Sequence, residues 1–166
     1  MLARLRDRAR QVTTPIAKRL AGLGVTPNML TLIGLALALL CPILALLKDP
    51  LLVCLLMLAS ALMDALDGAL ARVTGSTSRV GELLDSTTDR VSDGAYIISL
   101  LLLGYEPVLV TLVLLSSLLV SYVRAKAEPL GVRLEGVGVA ERGDRVLMFT
   151  LVLLAHKVLG LDAAMI

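Results

Sequence analysis

Long apolar runs separated by short polar joints set the pattern of this chain. Met29 to Leu47 is an uncharged run of 19 residues, long enough for one transmembrane helix. Thr26-Pro27-Asn28 opens it, with proline in the first turn and polar groups able to cap free amides. Pro42 inside the run predicts a kink. Lys48-Asp49-Pro50 is a short turn, and a second helix is expected from Leu51 to about Arg72. Its apolar part stops at Met63, so Asp64 and Asp67 fall in its last third. A Gly/Ser/Thr loop follows from Val73 to Val80, then a third helix from Gly81 to Leu103. Asp85, Asp89 and Asp93 recur at i, i+4 and i+8 along one face of its first half. Gly104 to Pro107 turns the chain, Val108 to Val123 gives a fourth span, and a polar Gly-rich linker runs from about Glu128 to Asp144. Val146 to Leu161 is a fifth, shorter span.

The expectation is an all-α, polytopic transmembrane helix bundle with five clear spans. Composition agrees: of 166 residues 57% are hydrophobic, a share too large for the polar surface of a soluble domain of this length. Residues 1–25 read as a basic juxtamembrane segment and 26–166 as the transmembrane domain. Met1 to Lys18 carries four Arg before Gln11 against Asp7 alone, which suits an amphipathic helix lying on the membrane face. Nothing in the pattern points to nucleic acid.

Net charge is only +2, but its distribution is one-sided. Six Lys/Arg precede Ala21, and Arg72, Arg79, Arg90, Arg124, Lys126, Arg133, Arg142 and Arg145 fall on the same side of the spans, leaving Lys48 and Lys157 on the other. The positive-inside rule then turns the N-terminus, the Asp-bearing loop and the Arg-rich linker toward the cytoplasm together, in a multi-pass protein of the plasma membrane. Cys41 and Cys54 lie in apolar stretches and read as small buried hydrophobes; Met57, Met63 and Met148 read as packing residues, and His156 as an interfacial one.

Asp64, Asp67, Asp85 and Asp89 are the anomaly. A carboxylate at the centre of a membrane helix costs about 2.5–3.5 kcal/mol. Four of them on two neighbouring helices require cations. Hard divalent ions such as Mg²⁺ take oxygen ligands and keep places for substrate phosphates, and two such ions can clamp the attacking and leaving oxygens of a phosphoryl transfer. Gly68 and Gly81 remove side chains where a backbone or nucleotide comes close, and Arg72 offers a planar donor fork for phosphate. Two rival readings are buried Asp–Arg pairs made by Arg72, Arg79 and Arg90, and an intramembrane cation carrier.

The full array, D-x2-D-G-x2-A-R-x8-G-x3-D-x3-D, resembles the signature of the CDP-alcohol phosphotransferase family at every fixed position. The resemblance implies a six-helix membrane fold, commonly homodimeric. It also implies transfer of a phosphate-bearing group from a CDP-linked donor to an alcohol with release of CMP. It makes Asp64, Asp67 and Asp85 ligands of a pair of Mg²⁺ ions, for which Mn²⁺ could substitute, and Asp89 a ligand, the general base for the attacking hydroxyl, or both. It makes Gly68, Arg72 and Ser78 contacts to the CDP moiety, beside Asp64. Pro27, Asn28 and Thr31, in a T-P-N-x-L-T stretch typical of the family, would complete the nucleotide pocket. Asp93 lies outside the signature and is expected to be structural, or a partner for Arg90.

A second basic cluster bears on the acceptor. Ser121-Tyr122-Val123-Arg124-Ala125-Lys126-Ala127-Glu128 ends the fourth helix, and Ala140-Glu141-Arg142-Gly143-Asp144-Arg145 precedes the fifth. Flanking charge and anionic-lipid contact are one reading. The pattern is also similar to phosphatidylinositol phosphate and archaetidylinositol phosphate synthases. On that reading Arg124, Arg142 and Arg145, with Lys126 as a further candidate, grip the phosphate of inositol 1-phosphate. Glycerol 3-phosphate is the alternative acceptor, and the lipid tails could be diacyl or isoprenoid-ether.

Overall fold

A computed structural model describes residues 2–132 and 142–159, with backbone only for residues 2–11 and 159. Among these residues the chain forms six α-helices and one short 3-10 turn. They are α1 (Leu2–Gly22), α2 (Pro27–Ala45), α3 (Pro50–Thr74), α4 (Arg79–Leu103), α5 (Pro107–Ala127) and α6 (Arg142–Leu159). Helices α2 to α6 correspond to the five expected spans. By length and composition α2, α3 and the segment Pro107–Leu130 are each able to cross a membrane. The centre of the Gly-rich linker, with Arg133, Ala140 and Glu141, and the end of the fifth span lie outside the described residues.

The helix starts follow one local rule. Thr26, Asp49 and Glu106 each precede a proline at the first helical position, and each side-chain oxygen accepts a backbone N–H of the first turn. The proline lacks the N–H that would otherwise be orphaned, while the cap satisfies another. Glu106 is therefore a cap, accepting from Leu109 N at 2.6 Å. Glycine at φ 64° (Gly75) ends α3 in the left-handed region where side chains are strained.

Helix α2 lies between α3 and α4; α5 packs on α4, while α1 and α6 pack on α3. Between membrane helices there is no hydrophobic gain from leaving lipid, so close backbone approach and interhelical hydrogen bonds carry the association. Helix α2 supplies that with small residues, Gly34, Ala38, Cys41 and Ala45, at helical spacing on one buried face. A Cβ on Gly34 would sit 3.3 Å from both Ser60 O and Met63 Cβ of α3. The same contact is stitched by Ser60 Oγ, which donates to Gly34 O (2.6 Å) and accepts from Tyr96 Oη of α4 (2.7 Å). Three helices are thus tied at one level. Cys41 and Cys54 are buried free thiols and Met57 is in the core, as expected. Met148 is not in the core: it is 58% exposed and lines an open apolar groove between α5 and α6.

Helix α1 lies within the basic segment of residues 1–25. It is anchored through Ala17, which is buried with Leu66, Ala69 and Leu70 of α3 and Leu30 of α2. At the end of the bundle away from the carboxylates, His156 packs against Tyr105 (ring centroids 5.4 Å apart) and Lys157 faces Asp49 at 3.6 Å.

Candidate active site

The last third of α3 and the first half of α4 meet beside the start of α2. Three-residue spacing turns Asp64 and Asp67 toward that junction, and α4 brings Asp85 to it. One carboxylate oxygen from each of Asp64, Asp67 and Asp85 lies within 4.8 Å of the others. Asp67 is buried and the other two are half-buried. Thr31 Oγ1 of α2 donates to Asp67 Oδ2 at 2.6 Å, fixing that carboxylate's orientation. Thr31, expected at the nucleotide, thus also supports the acid cluster. Three hard oxygen donors converging at this range, one oriented by a hydroxyl, fit a divalent cation. Asp89, one turn further along α4, lies outside that three-carboxylate set but against Asp64, and pairs with Arg142 Nη1 at 2.6 Å.

On one side of the cluster opens a cavity of about 440 Å³, the size range of a small-molecule site. Pro27, Asn28, Thr31, Gly68 and Ser78 all line it, with Asp67 and Asp85 at its inner wall. Arg72 does not: its exposed side chain lies outside the lining. Thr77 and Arg79 line the cavity instead, two residues the signature does not mark. Ser78 Oγ caps α4 by accepting from Gly81 N (3.0 Å), so the positive end of the α4 dipole opens onto this cavity. A Cβ on Gly81 would stand 3.1 Å from Ser78 Oγ and 3.6 Å from Asn28 Oδ1. Glycine there keeps two lining groups in place.

On the other side a polar cavity of about 70 Å³ lies between α4, α5 and α6. Arg124, Arg142 and Arg145 meet in its wall with Asp89, Asp93 and Arg90. Lys126 is not brought there; its Nζ lies 5.8 Å over the Tyr122 ring. Arg142 reaches furthest in, pairing through Nη1 with both Asp64 Oδ2 and Asp89 Oδ1. Buried Asp–Arg pairs therefore exist, but they are made from α6 rather than by Arg72, Arg79 or Arg90. Asp93 pairs with Arg145 Nη2 at 2.5 Å, correcting the expected Arg90 partnership. Arg90 Nη1 instead donates to Ser86 O of its own helix.

The sequence profile of the CDP-alcohol phosphatidyltransferases matches residues 24–166. The chain belongs to that family. It is a multi-pass membrane transferase of phospholipid biosynthesis. It is similar to the archaetidylinositol phosphate synthase of Pyrococcus horikoshii, 41% identical over 159 residues that cover 95% of this chain and 85% of the relative. It is also similar to the phosphatidylinositol phosphate synthase of Mycobacterium tuberculosis, 36% identical over 150 residues covering 83% and 67% of the two chains. The crystal structure of that mycobacterial enzyme with CDP-DAG bound superposes with a TM-score of 0.75 at 32% identity, covering 89% of this chain and 77% of the other. Its complex with manganese and citrate gives a TM-score of 0.71 at 30% identity, covering 86% and 72%.

Proposed function

We propose that this transferase moves the phosphatidyl or archaetidyl group of a CDP-linked lipid onto inositol 1-phosphate, releasing CMP at the cytoplasmic face of the plasma membrane. The observation that carries the proposal is a pair of cavities flanking one acid cluster. Asp85 faces the larger, and Asp89, one turn on, faces the arginine-lined one. A donor diphosphate in the first and an acceptor phosphate in the second would place the reacting groups at the carboxylates between them. The names of the relatives support inositol phosphate as the acceptor.

In the reaction an acceptor hydroxyl oxygen bonds to the lipid-bearing phosphorus, the bond from that phosphorus to the bridging oxygen breaks, and CMP leaves with the electron pair. Asp89, within reach of the acceptor cavity, takes the hydroxyl proton. Asp64, Asp67 and Asp85, with Asp89 at the edge, would hold two Mg²⁺ ions, or Mn²⁺ in their place. Such ions neutralise charge on the diphosphate and the departing phosphate. Pro27, Asn28, Gly68 and Ser78 shape the CDP-lipid cavity around the capped start of α4, and Arg72 is assigned to its outer rim. Arg124, Arg142 and Arg145 bind the acceptor phosphate by planar, charge-assisted donors. Clustering of Arg72, Arg79, Arg124, Lys126, Arg142 and Arg145 at one end of the bundle, with Lys48 and Lys157 at the other, supports the orientation. The family likeness supports a homodimer.

The test is CMP release by purified protein given Mg²⁺, a CDP-linked lipid and one phosphorylated alcohol at a time. Inositol 1-phosphate is expected to drive release with diacyl or isoprenoid-ether donor. Release with glycerol 3-phosphate and none with inositol 1-phosphate would reassign the chain to phosphatidylglycerol-phosphate synthesis.

A further inference from the structure

Asp93 is 3% exposed, lies outside the family signature, and is not needed by any step above. It sits one helical turn beyond Asp89 on the same stripe of α4, where an isolated carboxylate would be costly in so apolar a bundle. Its two oxygens divide between two residues of the acceptor cavity. Oδ2 is 2.5 Å from Arg145 Nη2, and Oδ1 is 3.8 Å from Arg142 Nε. Arg142 in turn holds Asp64 and Asp89 through Nη1, so one guanidinium spans from Asp93 to the acid cluster. Both arginines enter on α6, about fifty residues away in sequence, and a long guanidinium side chain has many rotamers unless a partner fixes it. Asp93 is a direct partner of Arg145 and a looser, 3.8 Å ion-pair contact at the Nε of Arg142, whose Nη1 is held by Asp64 and Asp89. Its single negative charge also leaves the cavity wall positive overall, with Arg124 added to the pair.

We propose that Asp93 is a positioning residue for the acceptor-phosphate site: it holds Arg145 directly, and steadies the Nε side of Arg142, in the arrangement that receives the phosphate, without touching substrate itself. The proposal rests on the reading that the α4–α5–α6 cavity takes the acceptor's phosphate, and it extends that reading to a residue the signature omits. A positioning role of this kind acts on acceptor affinity. A role in general packing would lower stability and disturb both substrates alike.

The experiment measures CMP release by wild type, Asp93→Asn and Asp93→Glu, varying inositol 1-phosphate at saturating CDP-linked lipid and then the reverse. Asp93→Asn is expected to raise the acceptor KM about tenfold or more, the scale on which lost orienting partners weaken a binding group. Its KM for the CDP-linked lipid and its kcat at saturating acceptor should stay within about twofold to threefold of wild type. Asp93→Glu, which keeps the charge but shifts the carboxylate, should give a smaller rise in the same acceptor KM. An unchanged acceptor KM, or a parallel loss in kcat and in both KM values, overturns the proposal. Should Asp93→Asn fail to fold, Asp93→Glu decides, with a rise confined to acceptor KM in support and none against. Wild type that uses glycerol 3-phosphate in place of inositol 1-phosphate would defeat the acceptor assignment alone, and the same ratios read on glycerol 3-phosphate would still judge Asp93. Wild type that uses only unphosphorylated inositol would overturn both.

Discussion

The two sides of the acid cluster are built in different ways. The larger cavity, proposed for the nucleotide, is made of backbone and short side chains: the capped start of α4, glycine at Gly68 and Gly81, and the proline-initiated first turn of α2. The smaller cavity, proposed for the acceptor, is made of long cationic side chains reaching from α5 and α6. Packing follows the same division. Helix α3 buries residues along its whole length, from Pro50 to Leu70, whereas α5 buries only Val110 and Ser117. A wall made of backbone is fixed as soon as the helices pack. A wall made of guanidinium groups needs dedicated partners, which Asp64, Asp89 and Asp93 supply here. On α4 the carboxylates thus divide, Asp85 joining Asp64 and Asp67 and Asp93 facing the arginines of α6.

The sharpest break between the two sides is expected from Asp67→Asn. Asp67 belongs to the carboxylate group and is held by Thr31, but faces no arginine of the acceptor cavity. Turnover should fall by at least about 10²–10³-fold, the loss typical of removing one charge-stabilising group from a phosphoryl or acyl transfer site. The protein should still insert and elute as a folded species by size-exclusion chromatography in detergent. CMP release near the wild-type rate would remove Asp67 from the metal site.

A smaller effect on the nucleotide side alone is expected from Gly81→Ala. The new methyl group would press on Ser78 Oγ at 3.1 Å, a group that both caps α4 and lines the cavity. The KM for CDP-linked lipid should rise several-fold, about 3–10, with acceptor KM unchanged, because only a methyl's width is lost and the neighbour is a rotatable hydroxyl. A rise in acceptor KM instead would show that the two cavities do not act separately.

The difference in construction also explains what could be read from the sequence. Spans α2 to α6 follow from apolar runs, with polar-proline starts at α2, α3 and α5, and Asp64, Asp67 and Asp85 follow from spacings of three and four within helices. Those are local signals. Thr31 as the support of Asp67 was hidden because the partners are 36 residues apart, and its T-P-N-x-L-T context pointed to the nucleotide. Pairing of Asp93 with Arg145 was hidden for the same reason at a separation of 52, while Arg90 looked the natural partner only because it is near in sequence. The rival Asp–Arg reading rests on Arg72, Arg79 and Arg90 of α3 and α4, whereas the pairing residue, Arg142, arrives from α6. Met148 is exposed in an open groove beside α5, whereas its neighbours Val146, Phe149 and Leu153 are buried. Hydrophobicity alone does not separate a core face from a lipid-facing one when both are apolar.

The smallest expected effect concerns the two basic residues at the end of α5, which sequence alone could not tell apart. Arg124 lines the acceptor cavity. Lys126, two residues on, is turned about 200° around the helix and lies over the Tyr122 ring, where its ammonium meets an aromatic face at an exposed site. A Lys at such a position contributes flanking charge rather than a fixed contact to substrate, and screening by salt weakens even that. Lys126→Ala should therefore change acceptor KM by less than about twofold, whereas Arg124→Ala should raise it by several-fold through loss of one charge-assisted donor. Both values come from CMP release titrated with inositol 1-phosphate at fixed ionic strength. Equal effects of the two substitutions would mean that the basic end of α5 acts as a diffuse field, and the acceptor side would then lose its distinction between fixed arginines and surface charge.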